Sequence, residues 1–596
     1  MSDAEVTTLS RLFLRSCRTY KKPDRMVFKS AGIWTKISTD EVETSVRRLS
    51  LGFRELGLKA GDRVAIISEN RPEWVMADFA ALCAGAVTVP IYTSLMPDQI
   101  RYILEDSGAK IVVCSDLGMW RKVEAVRTGL PALERVIIIE GDPPAGTHAF
   151  SDVVEMGRRV ESEAPGRFER SAEAVRPADL ASIIYTSGTT GMPKGVMLSH
   201  ANFTSNVQAL TEVIDFCAAD SALSFLPLSH VLERTGTYFL FHVGATIAYA
   251  ESIEAVAVNL VEVRPTIIIS VPRLFEKIYS RIMDQIMAGS RLKRAIFVWA
   301  LATGKKHTAR AIAGEAIPAH LAFKHGLARK LVFSKITART GGRIRYAICG
   351  GAPLSKDITE FFFAIGLHVL PGYGLTETSP VLTANTPGNI RFGTVGRTVP
   401  GVEIRIAEDG EILARGPNIM RGYYKNEADT REALKDGWLY TGDIGRFDED
   451  RFLIITDRKK DIIVTSGGKN IAPQPIESLI QASPYISSAV VVGNSRKFIS
   501  ALIVPDFEKL EAHARAQGLA FGDRAGLCRL PEIAAFLLDE VNRMTPGLAS
   551  YERVKKIAVL DRDFEIGADE VTPTLKVRRN IVERKYAGVI EALYKE

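Results

Sequence analysis

The chain has 596 residues, of which 46% are hydrophobic and 24% charged. That composition can bury a large core spread over several domains, and it excludes disordered and collagen-like chains. Basic residues outnumber acidic ones by 76 to 70. The six cysteines, Cys17, Cys83, Cys114, Cys217, Cys349 and Cys528, form no CxxC pair, which argues against a disulfide framework or a structural zinc site. No run of about 18 uncharged apolar residues offers a membrane span. Segment 231–250 comes closest, but Glu233 and Arg234 interrupt it. The first residues lack a signal-peptide layout, so a reducing cytoplasm is the expected setting.

In chain order, 63–68 (RVAIIS), 110–115 (KIVVCS) and 135–140 (RVIIIE) read as buried strands, with helical patterns at 40–56 and 97–106. The pattern returns at 266–270 and 345–349 and predicts a layered α/β architecture with mostly parallel strands. Segment 291–345 holds thirteen basic residues and one acid, Glu315. It therefore carries +12 and leaves −6 on the rest of the chain. Ile296, Phe297, Val298, Trp299, Leu321, Phe323, Leu331, Val332 and Phe333 interleave with these charges, as in amphipathic helices. An anionic membrane surface is then a candidate partner, attached peripherally at its inner face; a solvated basic face around core helices is the alternative. No nucleic-acid-binding module accompanies the charge.

From 393 to 456 the texture changes to short strand-like runs at 402–407, 410–414 and 451–456, which predicts a small β-barrel-like part. A charged cluster, 457–461 (DRKKD), follows. Beyond it, a helix at 475–482 and strands at 488–492 and 500–505 predict a compact α+β module. The expected division is an N-terminal domain of 1–456, a junction of 457–461 and a C-terminal domain of 462–596.

The strongest chemical signal is 185–195 (YTSGTTGMPKG), after the apolar run 181–184. Gly188 and Gly191 let backbone N–H groups approach a phosphate, and Thr186, Ser187, Thr189 and Thr190 add hydroxyl donors. Lys194 adds a mobile positive charge. The spacing is not that of a Walker A loop, because, counting from Gly188, Pro193 stands where the second glycine would.

This stretch resembles the phosphate-loop signature of the adenylate-forming superfamily: acyl-CoA synthetases, peptide-synthetase adenylation domains and luciferases. Further matches follow in the family's order: 350–354 (GGAPL), 372–378 (GYGLTET), 436–443 (DGWLYTGD), 457–461 and 572–576 (TPTLK). The resemblance implies an α/β fold with a large N-terminal domain of several subdomains and a small, mobile C-terminal domain. It implies that Gly351, Ala352 and Pro353 edge the adenine. Tyr373 would stack on the base, beside Gly374. Thr376 would touch phosphate and Glu377 would hold Mg2+. Asp443 and Arg458 would meet the ribose. Lys576 would bridge the substrate carboxylate and the α-phosphate, stabilising charge as oxygen attacks phosphorus. Asp461 would be the hinge, and Gly467 and Gly468 would line the path of the CoA arm.

Two stretches point to one branch. The long form 436–461 and 227–234 (PLSHVLER) resemble the long-chain fatty acyl-CoA synthetases. Arg451 departs from them, standing where glycine is usual. His230 would sit beside the bound carboxylate or gate an acyl tunnel; alone it reads as a structural histidine. The resemblance thus implies ATP, a fatty acid and CoA as substrates, with Mg2+. An acyl-AMP forms with release of pyrophosphate, and the CoA thiol then displaces AMP. A fatty acyl-AMP ligase serving a carrier protein, a medium-chain or aryl acid ligase, and a non-enzymatic lipid-surface protein are the alternatives. A homodimer is a candidate assembly.

Overall fold

A computed structural model describes residues 6–186, 192–565, 567–572 and 577–595. Ser187, Gly188, Thr189, Thr190, Gly191 and Lys576 lie outside the described residues.

The first apolar runs become the centre of a seven-stranded sheet. Its order is His148–Ala149, Arg135–Ile138, Ile111–Cys114, Arg63–Ile67, Val87–Ile91, Leu180–Thr186 and Lys194–Ser199. All neighbours are parallel except the last pair. A nine-stranded sheet carries the later runs. Ser221–Ser224, Ile267–Ser270, Tyr346–Cys349 and His368–Gly374 are parallel at its heart, and antiparallel strands close both edges. The expected mostly parallel α/β architecture is what forms.

The period of two decides which core each side chain enters. On the strand Arg63–Ile67, Val64 and Ile66 face one cluster, and Ala65 and Ile67 the opposite one. On the other sheet, Ala222, Ile247 and Ile267 enter the first of these clusters, and Leu223, Ala248 and Ile268 a third. One core therefore lies between the two sheets. Two helices run through it: Pro72–Cys83, buried except at Glu73, and Val231–Val243, buried except at Leu232. A charged group carried into the core on such a helix is stabilised by finding partners there. Arg234 does so with Asp78 of the other helix, at 2.5 Å, and with Ser182 at 2.7 Å and Thr88. Tyr238 donates to the second Asp78 oxygen at 2.6 Å. The two residues that seemed to interrupt an apolar run therefore sit inside the core, not at a surface.

A five-stranded antiparallel sheet follows, built on Glu403–Ile406, Glu411–Arg415, Trp438–Phe447 and Leu453–Arg458. Arg451 sits in the turn before the last strand with φ of +64°. The backbone keeps the left-handed geometry that favours glycine, and the guanidinium lies 4.1 Å over the Phe447 ring. The charged cluster is not all junction. Asp457 and Arg458 still pair with Ile444 and Asp443 in the ladder, so the strand ends only at Arg458.

The C-terminal part has its own sheet, Ile486–Val492, Ser500–Pro505 and Lys556–Val559. Alternate residues face two separate clusters, with Ala501 and Ile503 in one and Leu502 and Val504 in the other. The basic segment forms helices Arg291–Ile312 and Ala319–Ala328, continued by Arg329–Phe333. Phe297 and Phe333 enter the core, whereas Leu292, Val298 and Phe323 are 64–75% exposed beside the lysines and arginines. Among the described residues no helix is long and apolar enough to cross a membrane.

Candidate active site

A cleft of about 2740 Å³ opens where strands of both large sheets end. Parallel strands place their carboxyl ends on one edge, and the loops that leave them carry the chemistry. Thr186 ends the strand that leads into the glycine- and hydroxyl-rich stretch. Gly350–Pro353 leaves Tyr346–Cys349. Tyr373, Gly374, Thr376 and Glu377 leave His368–Gly374, and His230 follows Ser221–Ser224. All of these line the cleft, as do Lys194, Arg458 and Asp461. The sequence motifs, far apart in the chain, therefore meet in one place.

Each part of the site has a local cause. Gly374 is obligatory, because a Cβ there would lie 1.8 Å from the Pro380 carbonyl oxygen. Beyond it the chain turns tightly at Thr376–Thr378. Two buried asparagines hold that turn. Asn418 donates to the carbonyls of Thr378 at 2.8 Å and Val381 at 3.1 Å, and Asn206 donates to Val381 at 2.8 Å. Glu377 accepts the Tyr423 hydroxyl at 2.9 Å. Tyr423 in turn lies beneath Lys194, whose ammonium is 5.2 Å from the ring and pairs with Asp429 at 2.6 Å. That ammonium holds the Asp429 carboxyl below its usual range.

Tyr373 donates to Asp443 at 2.7 Å, and Arg458 Nε lies 3.2 Å from the other Asp443 oxygen. Burial, reinforced by this carboxylate, raises the Tyr373 hydroxyl well above its ordinary value, so it stays a donor. Burial opposes the charge on Arg458, but Asp443, Asp461 and Glu377 outweigh it and raise the guanidinium. Asp443 itself is only 4% exposed and stands behind Tyr373.

His230 caps the helix Val231–Val243, its Nδ1 accepting the Leu232 N–H at 3.2 Å. Thr572 and Val577, the described residues on either side of 573–576, line the cleft. Gly467 and Gly468 do not. They form an exposed turn between the strands Ile463–Val464 and Asn470–Ile471. Among the described residues no group of three or more His, Cys, Asp or Glu side chains could hold a metal ion by itself. Glu377 offers one hard oxygen ligand, which suits a Mg2+ ion held mainly by a triphosphate.

The family models agree with this geometry. Residues 15–424 match the AMP-binding enzyme family, and 460–596 match the AMP-binding enzyme C-terminal domain. This chain is a member of the AMP-binding enzyme family. The long-chain-fatty-acid–CoA ligase FadD15 of Mycobacterium bovis is 38% identical over 96% of this chain and 95% of its own length. The human long-chain-fatty-acid–CoA ligase ACSBG1 is 32% identical over 99% of this chain and 85% of its own. Among solved structures, the anthranilate CoA ligase AuaEII in complex with anthranoyl-AMP superposes with a TM-score of 0.75. It is 20% identical, with both chains fully covered. The adenylation domain of a carboxylate reductase from Mycobacterium chelonae gives 0.77 at 22% identity, covering 99% of this chain and 91% of its own. These likenesses show the same fold.

Sequence reasoning missed several residues of this AMP-binding enzyme's site. Asn206 and Asn418 hold the turn at Thr376–Thr378, Tyr423 and Asp429 engage Glu377 and Lys194, and Asp78 anchors the helix that starts after His230. The only sequence signal was Arg234 inside an apolar run, which calls for a buried acid somewhere in the chain.

Proposed function

We propose that this cleft activates a long-chain fatty acid with ATP and passes it to CoA. The chain is an AMP-forming long-chain fatty acid–CoA ligase. One observation carries the substrate reading. The ATP-binding edge and an apolar chamber, walled by Leu210, Ile214, Phe216 and Phe239, belong to a single cleft. Near-full-length similarity to proteins named long-chain-fatty-acid–CoA ligases supports the same class.

In the first step the fatty carboxylate attacks the α-phosphorus of ATP, and pyrophosphate leaves. Tyr373 and Gly350–Pro353 position the base, Arg458 and Asp443 the ribose, and Lys194 the phosphates. Glu377 would hold Mg2+, which supplies positive charge against the triphosphate. Lys576 would bridge carboxylate and α-phosphate. Catalysis is positioning and charge stabilisation, with no covalent enzyme intermediate. In the second step the CoA sulfur attacks the acyl carbonyl and AMP leaves. Rotation about Asp461, between a domain of 1–456 and one of 462–596, would bring the exposed Gly467–Gly468 turn to the cleft for the CoA arm. Lys576→Ala tests the division of labour. It should abolish adenylate formation yet spare thioester formation from supplied acyl-AMP; equal loss of both refutes the assignment.

A second reading concerns location. Leu292, Val298, Phe323, Leu327 and Leu331 are exposed on the same helices as Lys293, Lys324 and Lys330. Apolar side chains that insert, ringed by lysines that attract anionic headgroups, make a peripheral membrane surface. A lipid substrate gives such a surface a use.

A further inference from the structure

One wall of the apolar chamber is a short segment between a helix and a strand. Between the helix His200–Val213 and the strand Ser221–Ser224 the chain starts in extended geometry at Ile214, and its side chains alternate. Ile214 and Phe216 are buried and line the cleft, whereas Asp215 and Cys217 are exposed. Phe216 is the middle ring of a stack. Its centroid is 5.2 Å from Phe239, tilted 24°, and 6.2 Å from Tyr346, tilted 20°. Phe239 lines the chamber on the inner side. Tyr346 is half-buried on the outer side, under the Arg345 guanidinium at 5.1 Å. Arg345 also clasps the wall from outside, donating to the Asp215 carbonyl at 3.0 Å and lying 3.4 Å from its carboxylate.

We propose that Phe216, held between Phe239 and Tyr346, is the floor of the acyl chamber and sets the longest chain the enzyme accepts. This rests on the reading that the hydrocarbon of the acid occupies this chamber. The end of a chain that reaches Phe216 meets the edge of a ring whose two faces are held by Phe239 and Tyr346. Further methylenes gain little beyond it, because Tyr346 closes the outer face of Phe216 and the next layer is Asp215, Arg345 and solvent. Up to that length each buried methylene favours the enzyme by about fourfold; beyond it the gain stops. Arg345 and Asp215 hold the wall shut and touch no substrate.

The test is the chain-length profile of kcat/KM, read as pyrophosphate release with even-chain acids from octanoate upward. Phe216→Ala should move the break to longer acids, each newly housed methylene regaining about fourfold. Phe216→Trp should move it to shorter ones. Each profile is read relative to the same variant's own octanoate rate, and a wild-type thermal unfolding transition shows that the variants are folded. An unmoved break in both variants overturns the proposal. Should Phe216→Ala lose octanoate activity as well, Phe216→Leu takes its place, and an unmoved break there is equally decisive. Gly236→Ala separates this proposal from the reading beneath it. A Cβ at Gly236 would lie 2.3 Å from Ile269 Cδ1, and both residues line the cleft. If Gly236→Ala depresses long acids while both Phe216 variants keep the wild-type break, the chamber holds the chain and the floor lies elsewhere. If Gly236→Ala also leaves the profile untouched, the chamber reading itself fails.

Discussion

Asp443→Asn probes the nucleotide half of the site most sharply. A carboxylate offers about four lone-pair positions. In this structure Tyr373 takes one at 2.7 Å and Arg458 sits at another at 3.2 Å. Two remain for the ribose hydroxyls. Asparagine keeps the shape but has one acceptor oxygen, and Tyr373 already occupies part of it. At least one ribose hydroxyl then loses a charge-assisted partner, worth about 1.5–3 kcal/mol. We expect the KM for ATP to rise about 10- to 150-fold, read from initial rates at saturating acid and CoA. Repeating the measurement with 2′-deoxy-ATP closes a cycle. The wild type should pay for the missing hydroxyl, and Asp443→Asn should pay little more, because the partner is already gone. Asp443 is only 4% exposed, so a bracing role is the competing explanation. In that case the variant would lose thermal stability, yet its penalty for 2′-deoxy-ATP would equal that of the wild type. Equal penalties would refute the ribose contact.

The phosphate side and the core give further expectations. Asp429 and an incoming phosphate compete for Lys194, and the pair is about 30% exposed. Asp429→Asn should therefore lower the KM for ATP by up to about fivefold, since such pairs contribute about 0–1 kcal/mol; a raised KM would contradict the competition. Burial lifts the Glu233 carboxyl from 4.5 to about 8. Its folded value exceeds its unfolded one, so its contribution to stability is full below pH 4.5 and is lost as pH rises to about 8. Glu233→Gln should accordingly lose less stability than the wild type between pH 5 and 8 in denaturant titrations, and parallel pH profiles would contradict this. Reversing Lys293, Lys324 and Lys330 to Glu should weaken sedimentation with phosphatidylserine vesicles by about two orders of magnitude at low salt. Unchanged binding would make the segment a plain solvated face.

Much of this molecule is legible from local sequence. Runs such as 111–114 are short, apolar and rich in β-branched residues, which reads as a buried strand. The motifs around Thr186, Tyr373, Glu377 and Arg458 name residues that do converge on one cleft. What local sequence hides is long-range compensation. Arg234 looked like an interruption because its partner Asp78 is 156 residues away, and only the packed helices reveal the pair. The strand Trp438–Phe447 was equally hidden. Gly442, Asp443 and Gly445 break any alternation, and the strand exists because Glu411–Arg415 and Leu453–Arg458 flank it. Similarly, Asp457 and Arg458 read as a charged linker, yet ladder pairing carries them into the sheet. Gly467 and Gly468, expected along the path of the CoA arm, sit on an exposed turn outside the cleft.

The most direct measurement is ATP–pyrophosphate exchange with acids from acetate to a twenty-carbon chain, with and without CoA, following AMP and thioester together. For a long-chain fatty acid–CoA ligase we expect exchange to peak with long acids, and AMP and acyl-CoA to appear in equal amounts once CoA is added. Exchange that peaks with aryl or short acids, or that proceeds without any thioester when CoA is present, would contradict it.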